Sequence, residues 1–185
     1  MPIFNRRYNR FRALEYAERW AFERNPLFES YSGIGGDCTN FVSQCVFAGC
    51  CVMNFTPTFG WYYLSDSDRA PAWTGVEFFY NFITSNEGVG PYGIEVTEDE
   101  VTVGDVVQLG DADGDFYHSL IISGMNRRDG ILVAAHSNDA FDRLLDSYDY
   151  ASIRFIKILG VRTESILASP CFDRLISGES LSEER

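Results

Sequence analysis

One cysteine in this sequence has the setting of a catalytic nucleophile. Cys38 follows a glycine-rich stretch over 33–36 and Asp37, and it precedes a segment with apolar residues at helical spacing. This pattern predicts a helix that begins at Cys38, with Asp37 as its N-cap. At that position the positive end of the helix dipole favours the thiolate, which is the reactive form of cysteine. We therefore expect Cys38 to be a nucleophile and not a buried structural thiol.

The same helix start could stabilise the oxyanion that forms when a thiolate attacks an amide carbonyl. The backbone N–H of Cys38 is one predicted donor, and the preceding loop offers Tyr31 and Ser32 as candidates for a second. Asp37 is expected to position the nucleophile by capping the helix and to take no part in the chemistry.

The sequence contains two histidines, both in its strand-rich second half. His118 opens a predicted strand after an Asp- and Gly-rich turn, a suitable position for a general base at a sheet edge. His136 ends the next predicted strand, where its ring could orient the first imidazole, and Asn138 and Asp139 compete for that role. A shift of one residue in strand register would change which side chain points towards His118, so the third residue stays open.

The elements that must position these residues are helices first and strands afterwards. Apolar residues at three- and four-residue spacing predict helices over 8–24, 37–49 and 74–86. Alternating segments predict strands over 105–109, 117–123, 131–136 and 153–159, with turns suited to an antiparallel meander. We expect one α+β domain over 1–165, with N-terminal helices packed on an antiparallel β-sheet, and a C-terminal extension over 166–185 whose end frays.

An aromatic-rich stretch over 54–75 is interrupted by proline and glycine, and it is expected to form a long, partly packed loop. Its Trp61, Tyr62 and Trp73 are candidates for lining a substrate groove, although packing in the core explains them better.

The five cysteines, at 38, 45, 50, 51 and 171, show neither zinc-ligand spacing nor a regular secreted framework. Cys45 is expected in the core, and Cys50, Cys51 and Cys171 are expected to be free thiols. Residues 111–115 contain three aspartates but lack the flanking helices and downstream Glu of a calcium loop, so a hairpin turn is favoured. No metal and no cofactor are expected.

The charge and hydropathy of the chain disfavour some classes of partner. A net charge of -12 would repel nucleic-acid phosphates and anionic lipids, so we expect neither nucleic-acid nor membrane binding. The charge suits a cationic or neutral substrate, but solubility is its commoner cause. Without a signal-peptide pattern or a run of roughly 20 apolar residues, we expect a soluble cytoplasmic protein. A leader lost from a cloned fragment would leave the same sequence, and the oligomeric state stays open.

Short motifs spread over residues 8–162 match those of a known family. They lie at 8–10, 16–17, 20–21, 24–26, 35–45, 61–63, 104–108, 118–122, 134–136, 153–156 and 160–162. Together they resemble the putative amidase domain family, a branch of the papain-like hydrolases related to the NlpC-type cell-wall peptidases. The resemblance implies a helix-borne nucleophile packed against an antiparallel sheet that carries the base, and Cys38 and His118 match those positions. In the related peptidases the third position is often a histidine on the strand after the base, where His136 lies.

The sequence departs from the family at Cys50 and Cys51, where glycines are expected.

We expect a cysteine-dependent hydrolysis of an amide bond, in a peptide or a cell-wall stem peptide, through an acyl-enzyme on Cys38 with His118 as base. A transamidase would use the same pair to transfer the acyl group to an amine. A non-catalytic interaction module would keep the fold without the activity, but the intact pair counts against it.

Overall fold

The computed structural model describes residues 2–126, 128, 130–165 and 170–179. Its helices are α1 (Arg10–Trp20), α2 (Cys38–Cys50), α3 (Pro71–Thr74), α4 (Val76–Ser85) and α5 (Cys171–Ser177). Its strands are β1 (Phe4–Arg6), β2 (Tyr63–Ser65), β3 (Asp68–Arg69), β4 (Gly90–Val96), β5 (Val106–Gly110), β6 (Phe116–Asn126), β7 (Gly130–Ala135), β8 (Ala140–Leu144) and β9 (Ser152–Thr163). The four longer strands of the second half follow the first four helices, as expected for the α+β class.

In the described residues, seven strands form one antiparallel sheet. Its main path runs β1-β9-β5-β6-β7-β8, and β4 pairs with β9 beside this path. Strands β5 to β8 are neighbours both in sequence and in the sheet, so the predicted antiparallel meander is confirmed. Strands β2 and β3 form a separate two-stranded ribbon.

Helix α2 is enclosed by the other helices on one side and by the sheet on the other. Every residue of this helix except Phe47 is buried, and the helix packs against α1, α3, α5 and β6. A helix that is apolar on most sides is typical of one enclosed by its neighbours. Gly49 permits the close approach of the segment before α1, because a Cβ at this position would overlap the Tyr8 ring. The element that begins at Cys38 is thus held rigidly in the core.

The element predictions are confirmed for the periodic segments and wrong for the stretch over 54–75. The three predicted helices correspond to α1, α2 and α4, and the four predicted strands to β5, β6, β7 and β9. The loop expected over 54–75 instead contains β2, β3 and α3, which Pro71 begins at its first position. Strands β1, β4 and β8 were not predicted, because they are short or lack clear alternation.

The C-terminal extension packs on the helices. Cys171, at the start of α5, forms a disulfide with Cys51, the residue that follows α2, so the expectation of free thiols was wrong for both. Leu175 is buried, and its carbonyl oxygen accepts a hydrogen bond of 2.9 Å from the Trp20 indole. Cys50 remains a free thiol but is buried. The predicted fraying falls largely on residues 180–185, which lie outside the described residues.

The disulfide also bears on where the protein resides. Disulfides are rare in reducing compartments such as the cytoplasm, so the Cys51–Cys171 bond argues against the predicted cytoplasmic location. The location itself stays a prediction. None of the helices in the described residues has the length and hydrophobicity that a bilayer crossing requires.

We predict that the native chain exposes three thiols on unfolding. Alkylation in denaturant without reductant should add three groups, and alkylation after reduction should add five, as counted by intact mass. Replacing Cys171 by Ser should lower the free energy of unfolding by about 2 to 5 kcal/mol, because the bond closes a long loop of the unfolded chain. Five groups added without reductant would contradict the pairing.

Candidate active site

Cys38 and His118 line the same cavity, which has a volume of about 410 Å³. Cys38 is the first residue of α2 and is 7% exposed. Its sulfur lies 4.0 Å from the carbonyl oxygen of Tyr117, the residue that precedes His118 in β6. The structure thus brings the predicted nucleophile and the predicted base to one cavity.

Polar contacts fix the start of α2 against β6. The hydroxyls of Thr39 and Ser119 lie 2.9 Å apart, one residue beyond Cys38 and His118 respectively. The amide of Gln108 in β5 donates a hydrogen bond of 3.1 Å to the same Ser119 hydroxyl. All three side chains are buried, so these hydrogen bonds fix the position of the N-terminus of α2 along β6.

His118 lies opposite Leu109 of β5, and its ring centroid is 5.9 Å from that of Tyr148. Burial and, after it, the positive charge of Arg143 lower the pKa of His118 from 6.5 to about 4. The ring is therefore neutral at neutral pH. Within the described part of the chain no group hydrogen-bonds either of its nitrogens, so packing sets its orientation.

Asp37 occupies the predicted N-cap position, but its carboxylate does not cap α2. The oxygen Oδ1 accepts hydrogen bonds from the Tyr31 backbone N–H at 2.9 Å and from the Asn40 amide at 2.8 Å. The other oxygen, Oδ2, accepts one from His136 Nδ1 at 2.7 Å. Burial alone would raise the pKa of Asp37, but these bonds outweigh it and hold the pKa below the usual 3.8. The N–H groups of the first turn lack this acceptor and can receive an oxyanion.

The contacts of His136 differ from the orienting role predicted for it. Its Nδ1 faces the Asp37 carboxylate, and its Nε2 lies 2.9 Å from the carbonyl oxygen of Trp20. The ring is therefore held between the Asp37 carboxylate and the Trp20 carbonyl oxygen. It is 1% exposed and stacks on Phe41 with the ring centroids 3.9 Å apart. His136 thus holds Asp37, and its nitrogens are not available to the His118 ring.

Strand register explains why the two histidines do not meet. His136 continues the alternation of Ala134, which packs in the core cluster that contains the helices. His118 alternates with Leu120, which packs in the second cluster, on the other face of the sheet. The two rings therefore start from opposite faces of adjacent strands. This is the one-residue choice that the sequence left open.

The turn over 136–139 between β7 and β8 is bonded to the helix start. Ser137 and Asn138 have φ angles of 65° and 87°, a left-handed conformation that is uncommon without glycine. The Ser137 hydroxyl accepts a hydrogen bond of 2.8 Å from the Asp37 backbone N–H. Asn138 lines the cavity with His118 but makes no hydrogen bond to it, so its orienting role stays a prediction.

Arg24 connects this turn to Asp37. Its guanidinium donates two hydrogen bonds, of 2.8 and 3.0 Å, to the carboxylate of Asp139, and its Nε lies 3.4 Å from Asp37 Oδ2. Asp139, a third candidate for orienting the base, is thus engaged with Arg24. Sequence reasoning noted Arg24 only within a stretch that matches the family, and it did not note Ser137, because nothing local in the sequence signals contacts with partners about 100 residues away.

The predicted loop donors lie outside the cavity. The backbone N–H of Tyr31 is bonded to Asp37, and its hydroxyl lies 2.9 Å from Asp66. The hydroxyl of Ser32 accepts a hydrogen bond of 3.1 Å from Arg24. Gly35 and Gly36 line the cavity instead, with φ angles of 96° and 102° that favour glycine. A second oxyanion donor would therefore come from these glycines and not from Tyr31 or Ser32.

The aromatic candidates for substrate binding are part of the core. Trp61 and Trp73 are fully buried, with ring centroids 4.7 Å apart, and neither lines the cavity. Tyr62 packs on Phe55 at 5.5 Å, also outside the cavity. The groove-lining alternative was therefore wrong for Trp61 and Trp73, and the preferred interpretation, packing in the core, is confirmed for both. For the half-buried Tyr62 the binding role stays a prediction.

Two cavity residues that the sequence did not single out are Arg143 and Tyr148. The Arg143 guanidinium stacks on the Tyr148 ring, 3.9 Å from its centroid, and both residues line the cavity with Cys38. A larger surface cavity of about 720 Å³, lined by residues such as Glu98 and Met125, contains no Cys or His in its described lining. Across the described residues, no three His, Cys, Asp or Glu side chains converge to hold a metal ion.

Comparison with known proteins agrees with the motifs. The chain is 32% identical over 137 residues to a Bacillus subtilis (strain 168) protein described as uncharacterized protein YhbB, and the match covers 72% of this chain but 42% of that relative. The chain thus spans less than half the length of this relative. No solved structure matches the chain. The family model of the putative amidase domain matches residues 7–159, so the chain belongs to the putative amidase domain family.

Proposed function

We propose that this protein hydrolyses amide bonds through an acyl-enzyme on Cys38, with His118 as the general base. The observation that carries the proposal is that Cys38, at the start of α2, and His118, in β6, line one cavity. A helix-borne cysteine that lines the same cavity as a histidine on an antiparallel sheet resembles the papain-like hydrolases and their NlpC-type relatives. Membership of an amidase-like family supports an amide as the substrate.

The chemistry would proceed in two steps. Because the His118 ring is neutral at neutral pH, it can accept the Cys38 proton as the sulfur attacks the carbonyl carbon. The carbonyl oxygen becomes an oxyanion beside the uncapped N–H groups of α2. The C–N bond then breaks, and the imidazolium returns its proton to the leaving amine. Water next attacks the thioester while His118 takes its proton, which releases the acid and restores the thiol.

The Asp37–His136 pair would serve this chemistry indirectly. Asp37 precedes the nucleophile, and its backbone N–H and carboxylate are bonded to Ser137 and His136. These bonds keep the glycine loop and the helix start in one arrangement. His136 is therefore a positioning residue in this proposal, and Asn138, in the cavity, remains the candidate for orienting the base.

We predict that turnover depends on both members of the pair. In a panel of peptide and stem-peptide amides, product amine should form with the wild-type protein and not with Cys38→Ala. His118→Gln should lower the rate by about a hundredfold or more, the typical contribution of a general base. Mass spectrometry of the products checks this.

Two controls accompany this panel. Cys45→Ala removes a fully buried thiol of the same helix and should keep turnover, provided that the variant melts as a folded protein. Added amine acceptors separate hydrolysis from transamidation, since a transamidase would yield the acceptor amide in place of the acid. Turnover that survives Cys38→Ala would rule the proposal out.

We predict a specific pH dependence of stability from His118. The unfolded ring has a pKa near 6.5 and the folded ring one of about 4, so between these values unfolding takes up a proton. The free energy of unfolding should therefore fall as the pH drops through this range, by about 1.4 kcal/mol per pH unit at most from this residue. Urea unfolding of wild type and His118→Gln at pH 7, 6 and 5 checks this, and parallel curves would contradict it.

A further inference from the structure

The cavity that holds Cys38 also presents a cation without an anionic partner. Arg143 makes no ion pair within the described residues; its Nε and Nη2 instead donate to the hydroxyl and the carbonyl oxygen of Ser147, at 2.9 and 3.1 Å. Arg24, on the other side of the helix start, is by contrast bound to carboxylates. A guanidinium has five N–H donors in a planar fork, and these two contacts leave donors of Arg143 for a ligand.

Tyr148 adds a second unfilled polar group to the same cavity. Its hydroxyl oxygen is buried and makes no hydrogen bond of ordinary geometry within the described residues. Burial raises the pKa of Tyr148, and the charge and weak polar contact of the neighbouring Arg143 side chain offset part of that rise. A buried hydroxyl with so weak a partner costs free energy, and a ligand at Arg143 would supply a better acceptor. The ring beneath the guanidinium also keeps the plane of Arg143 in a fixed orientation.

We propose that Arg143 and Tyr148 bind a carboxylate of the substrate beside the amide bond that Cys38 attacks. The proposal rests on the proposed function and adds to it the chemical class of the substrate: an amide with an acidic group close to the scissile bond. A carboxylate accepts two parallel hydrogen bonds from a guanidinium and a further one from a phenol, and it matches the donors left in this cavity.

The charges around the site are consistent with this class. Asp149 also lines the cavity, but it is exposed and makes no ion pair with Arg143 in the described residues. The lining therefore carries one charge of each sign, and the charge of the partly buried Arg143 is screened less by water than that of the exposed Asp149. A carboxylate bound to Arg143 would also offset the charge that disfavours protonation of His118, so the substrate would help the base to accept its proton.

Two alkylating reagents of matched size test the proposal without a known substrate. Iodoacetate and iodoacetamide both transfer a methylene carbon to a thiolate with loss of iodide, but only iodoacetate carries a carboxylate. The rate constant for modification of Cys38 is measured for each reagent by peptide mass spectrometry on the intact, folded protein. The quantity compared is the ratio of the two rate constants, relative to that of a free thiol such as glutathione.

We expect the iodoacetate-to-iodoacetamide ratio at Cys38 to exceed that of glutathione and to fall by about tenfold in Arg143→Gln, the loss expected for one charge-assisted contact. Arg143→Lys should keep part of the preference, since it retains the charge and loses the fork. Tyr148→Phe should lower the ratio by a smaller factor. Arg174→Gln makes the same change of charge at an exposed residue of α5. It is the matched control and should leave the ratio unchanged.

A ratio equal to that of glutathione, or one unaffected by Arg143→Gln, would overturn the carboxylate site while leaving the proposed function standing. An equal fall in Arg174→Gln would also overturn it, because net charge would then explain the preference. If Cys38 resists both reagents under conditions that modify glutathione, the proposed function itself fails. Iodoacetamide reactivity thus separates failure of the nucleophile from failure of the carboxylate site.

Discussion

The buried pair of Asp37 and His136 is the interaction on which the candidate site depends. Both side chains are about 1% exposed and lie 2.7 Å apart, and the Nε of Arg24 lies 3.4 Å from the same carboxylate oxygen. Losing His136 would leave the buried carboxylate of Asp37 without its shortest contact, which is strongly destabilising. Because Asp37 precedes the nucleophile and His136 follows β7, the pair makes the glycine loop, the helix start and the β7–β8 turn one rigid unit.

The site also separates local charge from net charge. The chain is strongly acidic, with a net charge of -12. The cavity around Cys38 is nevertheless lined by the cationic Arg143 and by a neutral His118, beside the exposed Asp149. Burial is the main reason that the imidazole stays neutral, and the nearby guanidinium adds to it. Net charge suggests a cationic or neutral substrate, whereas the carboxylate site proposed at Arg143 would take an anionic one.

Much of the fold could be predicted because its signals are local. The periodicity of α1, α2 and α4 and the alternation of β5 to β7 and β9 lie within single segments, and the setting of Cys38 is contained in its immediate neighbours. The missed features are contacts between distant residues: the Cys51–Cys171 disulfide and the Arg24–Asp139 ion pair. The role of His136 could not be predicted because a single residue of register decides which face of the sheet its ring joins.

The separation of Asp37 from its partners has a consequence for biosynthesis. The nucleophile helix is made early, but the histidine and serine that hold its first turn lie 99 and 100 residues later in the chain. A ribosome will therefore have made Cys38 well before the imidazole of His118 and the turn after β7 exist. Until that turn emerges, the growing polypeptide lacks the residues that surround Cys38 in the folded domain, and the proposed attack on an amide would become possible only when the second half of the domain folds onto the first.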